Sequence, residues 1–173
     1  MTVRVWDLFV RCFHWSLVLL FAANLFVIDN DSDLHQWVGY AIVALIVLRI
    51  LWGFIGTQYA RFSSFPPDAQ ASLEQAVEML SGKEPSVHKG HTPLGALMIY
   101  NIILCMLGIG LSGYFMTSDA FWGKEWPEVL HESLVAWAQI SVVLHILAVF
   151  FESFRTKVNL PWSMITGNKT FKE

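Results

Sequence analysis

The sequence predicts an all-α integral membrane protein: a four-helix transmembrane bundle with a short amphipathic helix on its cytoplasmic surface. Three observations predict it. The 173 residues are 55% hydrophobic and only 14% charged, with a mean hydropathy of +0.50, a composition suited to lipid rather than water. Four apolar stretches each approach the ~20 residues that a helix needs to cross a bilayer. Histidines recur near the ends of three of them. The length suits one small bundle, so 1–173 is expected to be a single domain.

The first span is expected at about 9–28 and the second at about 35–55. The N-terminal MTVRVWDLFVRCFHW has no small-residue cleavage site after its apolar run, so it reads as a retained span rather than a signal peptide. The one long connection, 56–93, contains Pro66-Pro67-Asp68, a helix start with Asp68 near the cap. A helix over about 68–81 then places Leu73, Val77 and Leu80 on one face and Glu74 and Glu78 opposite, as in a docking helix lying on the membrane surface. The third span is expected at about 94–115. The fourth, at about 130–152, lies within LHESLVAWAQISVVLHILAVFFESFR. Cys12 and Cys105 lie in no CxxC or CxxCH pattern and at different depths, so neither a thiolate cage, a covalent haem nor a disulfide between them is expected.

Four spans put both termini on one side. The first and third loops hold Asp29, Asp31, Asp33, Asp119, Glu125, Glu128 and Glu132 against Lys124 alone. The other side holds the remaining ten of eleven basic residues: Arg4, Arg11, Arg49, Arg61, Lys83, Lys89, Arg155, Lys157, Lys169 and Lys172. The positive-inside rule then makes both termini cytoplasmic. Trp6, Trp15, Trp37, Trp52, Trp122, Trp126 and Trp162 cluster near span ends, as interfacial belts do.

This topology orders the histidines by depth. His14 lies near the cytoplasmic surface and His35 near the outer one. His131 and His145 stand 14 residues apart on the fourth span, so they share nearly one helical face, about 21 Å apart along the axis. His14 therefore pairs in depth with His145, and His35 with His131. Facing helices of a bundle mount axial ligands in this way, so the pattern meets the requirement for two bis-histidine haems stacked across a membrane. Zinc also takes imidazole, but it gathers its ligands into one shell, and these pairs are about 21 Å apart. Each histidine alone also fits a hydrogen-bonded core residue or a proton relay; the matching of four favours ligands.

Arg49 is 14 residues after His35, hence on nearly the same face at the cytoplasmic level, and Arg11 lies one turn from His14. Both are candidate partners for haem propionates; the alternative is snorkelling to the interface. His88 and His91, in HKGHTPLG, have no partner at matching depth. His88 reads as interfacial. His91 is open between an interfacial residue and a proton handler for a quinol.

The segments VWDLFVRCFHW, LHQWVGY, LRILWGFIGTQYARF, GHTPLGALMIY and LHESLVAWAQISVVLH resemble the prokaryotic cytochrome b561 family, over nearly the whole chain. That family is related to the cytochrome b subunits of nickel hydrogenases and membrane formate dehydrogenases. The resemblance implies two b-type haems, with His14 and His145 ligating one and His35 and His131 the other. It implies quinone/quinol as the redox partner in the lipid. It also maps a quinone site near the start of the third span, around His91. The five-helix hydrogenase subunits have an extra span that is missing here.

The function expected is electron transfer between the quinone pool and a periplasmic redox partner, a c-type cytochrome or a dehydrogenase. The acidic outer loops, at a net −6, would steer a lysine-ringed cytochrome. Whether the chain acts as a carrier or as a quinol-linked oxidoreductase is open. A superoxide:quinone oxidoreductase ranks lower, because the same acidic loops repel an anion. A non-catalytic membrane anchor is the third reading. The overall charge of −3 says little, and no nucleic-acid partner is expected.

Overall fold

In the computed structural model, residues 1–82, 86 and 88–171 are described. Lys83 and Lys172, counted above among the basic residues, lie outside them. Four helices are long and apolar enough to cross a membrane: α1 (Leu8–Phe26), α2 (Asp33–Ile55), α4 (Pro93–Met116) and α5 (Trp126–Thr156). A shorter helix, α3 (Ala69–Leu80), occupies the connection between α2 and α4. The chain is thus a multi-pass helical membrane protein.

The helix starts are written in local chemistry. Asp7, Ser32, Asp68 and Thr92 cap α1, α2, α3 and α4, each side chain accepting from an N–H in the first turn. Pro93 and Pro127 sit in the first turns of α4 and α5, where a missing N–H costs nothing. Lys157, in the left-handed region with φ 56°, ends α5. The 31 residues of α5 span about 46 Å, longer than the hydrocarbon core. The apolar count over 130–152 captured only its central part.

The helices pack in a chain: α1 on α2, α2 on α4, α4 on α5, with α3 against α4. The main core lies on the α2–α4–α5 seams and includes Ile42, Ile46, Ile103, Cys105, Met106 and Ala138. Among the described residues α5 packs extensively on α4 and on the C-terminal helix, but not on α1 or α2. A slot therefore runs between α5 and the α1–α2 pair. Both cysteines are free, Cys105 buried on α4 and Cys12 exposed.

Three elements escaped the reading of hydropathy. Helix α6 (Leu160–Thr166) follows α5, and strands β1 (Thr2–Arg4) and β2 (Asn168–Thr170) pair antiparallel. They bring both termini together at one end of the bundle, here called the terminal end. Trp6, grouped by sequence with the interfacial belt, is buried there and donates to Ser163 Oγ at 3.1 Å. Helix α3 lies against α4. It meets the bundle through buried Ser72 and Gln75, and Gln75 Oε1 accepts from Leu94 N at 2.9 Å. The Leu73, Val77 and Leu80 stripe faces outward, because in a membrane protein lipid competes with the protein core for apolar surface.

Candidate haem-binding site

The slot beside α5 holds two of the four histidines face to face. At the end opposite the termini, His35 of α2 faces His131 of α5, with ring centroids 6.4 Å apart and planes at 62°. Two metal–imidazole bonds of about 2.0 Å, each followed by about 1.1 Å from nitrogen to ring centroid, span about 6 Å. The pair therefore stands at the separation at which one iron joins two imidazoles. At the terminal end, His14 of α1 lies within electrostatic reach of His145 of α5.

The surroundings fit a large, flat group bearing carboxylates. Nδ1 of both His14 and His35 is buried without a protein partner. Gly39 follows His35 by one turn on the same face and has no neighbour within 4 Å of where a Cβ would stand. Arg49 is buried and spends Nη2 on Ala60 O at 3.1 Å, with its guanidinium 5.3 Å from the Phe62 ring centre. Its Nη1 has no partner, which leaves one arm for a propionate. Arg11 is more committed: its Nη2 donates to Ile165 O of α6, although its Nε is buried without a partner. No cluster of three or more His, Cys, Asp or Glu side chains suited to a bare metal ion occurs among the described residues.

Also at the terminal end, beside Trp6, His91 sits in an aromatic box. Its ring lies 4.8 Å from Trp6 and 4.1 Å from Phe65, and Tyr100 and Phe62 complete the stack beside Arg49. Burial, then the positive charges of Arg49 and Lys169, push the His91 imidazole down to about 3, so it is neutral near pH 7. Nδ1 of His91 is buried and unpartnered. His88 contributes its backbone instead: its carbonyl accepts from Lys169 Nζ at 3.4 Å.

Sequence reasoning passed over three groups that organise this site. Lys169 of β2 is buried, donates to Gly90 O at 2.6 Å and rides 5.2 Å from the Trp6 ring centre, so the C-terminal strand braces the loop that carries His91. Asn101 on α4 donates to Ser141 Oγ at 2.9 Å and accepts from Trp137 Nε1 at 2.9 Å, clipping α4 to α5 inside the membrane. Ser112 on α4 lies 3.2 Å from His131 Nδ1. Asn101 carried a legible signal, as an amide in an apolar span; Lys169 and Ser112 are short-range consequences of tertiary packing.

The family model described as prokaryotic cytochrome b561 matches residues 5–167. The chain belongs to the prokaryotic cytochrome b561 family. It is a membrane cytochrome b of electron transport, and the family implies b-type haem. A probable Ni/Fe-hydrogenase B-type cytochrome subunit of Bradyrhizobium diazoefficiens is 22% identical over 99% of this chain and 87% of its own length. The corresponding probable subunit of Rhizobium leguminosarum bv. viciae is 20% identical over 99% of this chain and 90% of its own. The probable Ni/Fe-hydrogenase 1 B-type cytochrome subunit of Escherichia coli K12 is 23% identical, over 64% of this chain and 58% of its own. No solved structure matches at a significant level.

Proposed function

We propose that this cytochrome holds two b haems, one between His14 and His145 and one between His35 and His131, and carries electrons between membrane quinone and a redox protein on the periplasmic side. The observation that carries the reading is the 6.4 Å separation of the His35 and His131 rings, which face each other from α2 and α5. Both termini are cytoplasmic in this reading, by the placement of basic residues, and the membrane is the bacterial inner membrane.

His14, His35, His131 and His145 would each offer an imidazole nitrogen to iron, and Arg49 Nη1 would offer a charge-assisted hydrogen bond to a propionate. Bound haem supplies the one-electron chemistry. The remaining work belongs to the protein. The apolar walls of α2, α4 and α5 exclude water from the route between the two levels. His91, neutral at physiological pH, presents Nδ1 as a hydrogen-bond partner for a quinone carbonyl or a quinol hydroxyl, inside a box whose aromatic walls suit a flat ring. Outer residues Asp29, Asp31, Asp33, Asp119, Glu125, Glu128 and Glu132 form an acidic surface that attracts a cationic partner. The names of the relatives favour one further reading of that partner, a hydrogenase-type dehydrogenase docking on the same face.

Anaerobic mixing of the purified cytochrome with a short-chain quinol tests this. Haem reduction is expected, and His91→Phe is expected to slow it while leaving the oxidised haem spectrum unchanged. Reduction at the same rate in His91→Phe contradicts the quinone assignment. Binding to a lysine-rich cytochrome c should weaken steeply as salt rises; salt-independent binding contradicts electrostatic docking.

A further inference from the structure

We infer that α4, which carries no ligand histidine, fixes the tautomer and ring plane of His131 through a shelf made of Ile109, Ser112 and Gly113. The shelf thereby sets the reduction potential of the haem held by His35 and His131 apart from that of the other haem. The inference rests on the haem assignment above.

The shelf is made by one turn of α4. His131 Nδ1 lies 3.0 Å from Ile109 O and 3.2 Å from Ser112 Oγ. Ser112 is fully buried, and its single hydroxyl proton is taken by its own helix, at Gly108 O (2.8 Å) or Ile109 O (3.0 Å). Its oxygen therefore turns lone pairs toward His131. A carbonyl and a committed hydroxyl oxygen are both acceptors, so Nδ1 must be the donor. The proton stands on Nδ1, and Nε2 is left with a free lone pair for iron. Gly113 closes the shelf: a Cβ there would lie 3.3 Å from His131 Cε1 and 3.4 Å from Nδ1. The ring is thus backed on its edge as well as hydrogen-bonded.

Two of the other three histidines are held differently. Nδ1 of His35, across the same slot, and Nδ1 of His14 at the other level are buried with no acceptor at all. Donation from Nδ1–H to an acceptor raises the basicity of the ligating nitrogen, and a more basic axial ligand favours the oxidised iron. The haem with the supported ligand should therefore have the lower potential for that reason, and it lies at the end opposite the termini. The competing explanation is that Ser112 merely satisfies itself within its own helix, as buried serines do.

Redox titration followed by visible and low-temperature electron paramagnetic resonance spectroscopy separates the two. Ser112→Ala removes one acceptor and leaves Ile109 O in place. One of the two haem components should shift toward reduction by about threefold, or ~28 mV at 59 mV per tenfold for one electron, with the other unmoved. Gly113→Ala should alter the low-spin g values of that same component, because the ring must tilt. Unchanged potentials and g values in both variants, or equal shifts in both haems, would overturn the inference. His131→Ala is the control that separates the two claims. If it removes no haem component, the haem assignment itself fails. If it removes one and the α4 variants are silent, only the role of the shelf fails.

Discussion

Replacing Gly110 with alanine sets two effects of opposite sign against each other. In an isolated helix the change is favourable by about 0.8–1.0 kcal/mol, because alanine is the better helix former. In this bundle the new Cβ would stand 2.2 Å from Cγ2 of Val43 on α2. Ordinary carbon contacts are about 3.5–4.0 Å, so the α2–α4 seam must open by more than about 1 Å, or Val43 must leave its rotamer. Valine in a helix has one strongly preferred χ1, so that escape is costly. Overpacking of this kind costs about 1–3 kcal/mol, which outweighs the gain in propensity and leaves a net loss of about 1 kcal/mol. The consequence reaches the site, because α5 is carried on α4. Moving α4 away from α2 lengthens the 6.4 Å separation of His35 and His131. Thermal unfolding in detergent and haem-to-protein ratio by pyridine haemochromogen give the readout. Gly110→Ala should lower Tm and selectively deplete the haem opposite the termini, and Val43→Ala in the same chain should restore both by removing the clashing methyl. A Gly110→Ala protein that is more stable and fully loaded would refute the close-approach reasoning.

Three further outcomes follow from the terminal end. Asp7→Ala removes the α1 cap at Val10 N and strands the Trp52 and Thr57 donors that Asp7 Oδ2 accepts at 3.0 and 2.7 Å. A loss of about 2–3 kcal/mol is expected in chemical denaturation, with Asp7→Asn milder because it still caps. Lys169 is pushed down to about 8, from an ordinary 10.5, by burial. The folded state then binds fewer protons than the unfolded state between those values, so stability should rise with pH from about 8 to about 10.5; Lys169→Met should flatten that rise. Glu78 is held down to about 2, from an ordinary 4.5, by hydrogen bonds from Ser86 and from Arg155, whose Nη2 lies 2.6 Å away. That link between α3 and α5 should be intact above about pH 4.5 and lost as pH falls toward 2. Glu78→Gln should raise amide exchange in α3 at neutral pH without shifting the haem bands.

Most of the architecture was legible because lipid imposes a simple code. Apolar runs near 20 residues located all four long helices, and Asp68 after two prolines located α3. The pairing of His35 with His131 was legible from depth alone, since alternate crossings reverse direction and a helix repeats its face after 14 residues. The terminal clasp was not legible. Asn159, Pro161 and Gly167 form a start and stop signal, but the seven-residue helix between them is too short to stand out. Strands of three residues, 164 positions apart at Arg4 and Asn168, leave no periodicity. The amphipathic pattern of α3 reports two faces, and in the structure its Leu73, Val77 and Leu80 stripe is the exposed one. In the sequence Ser112 and Gly113 are simply small residues of an apolar span. Only the placement of the His131 ring shows what they touch.

The central claim is that two haems are held at two levels by two histidine pairs. Its most direct test is a redox-titrated visible spectrum of the purified protein beside His14→Ala and His131→Ala. The account predicts two low-spin b-type components, with a different one lost in each variant and the other retained. A single component in the unaltered protein, or loss of the same component in both variants, would contradict it.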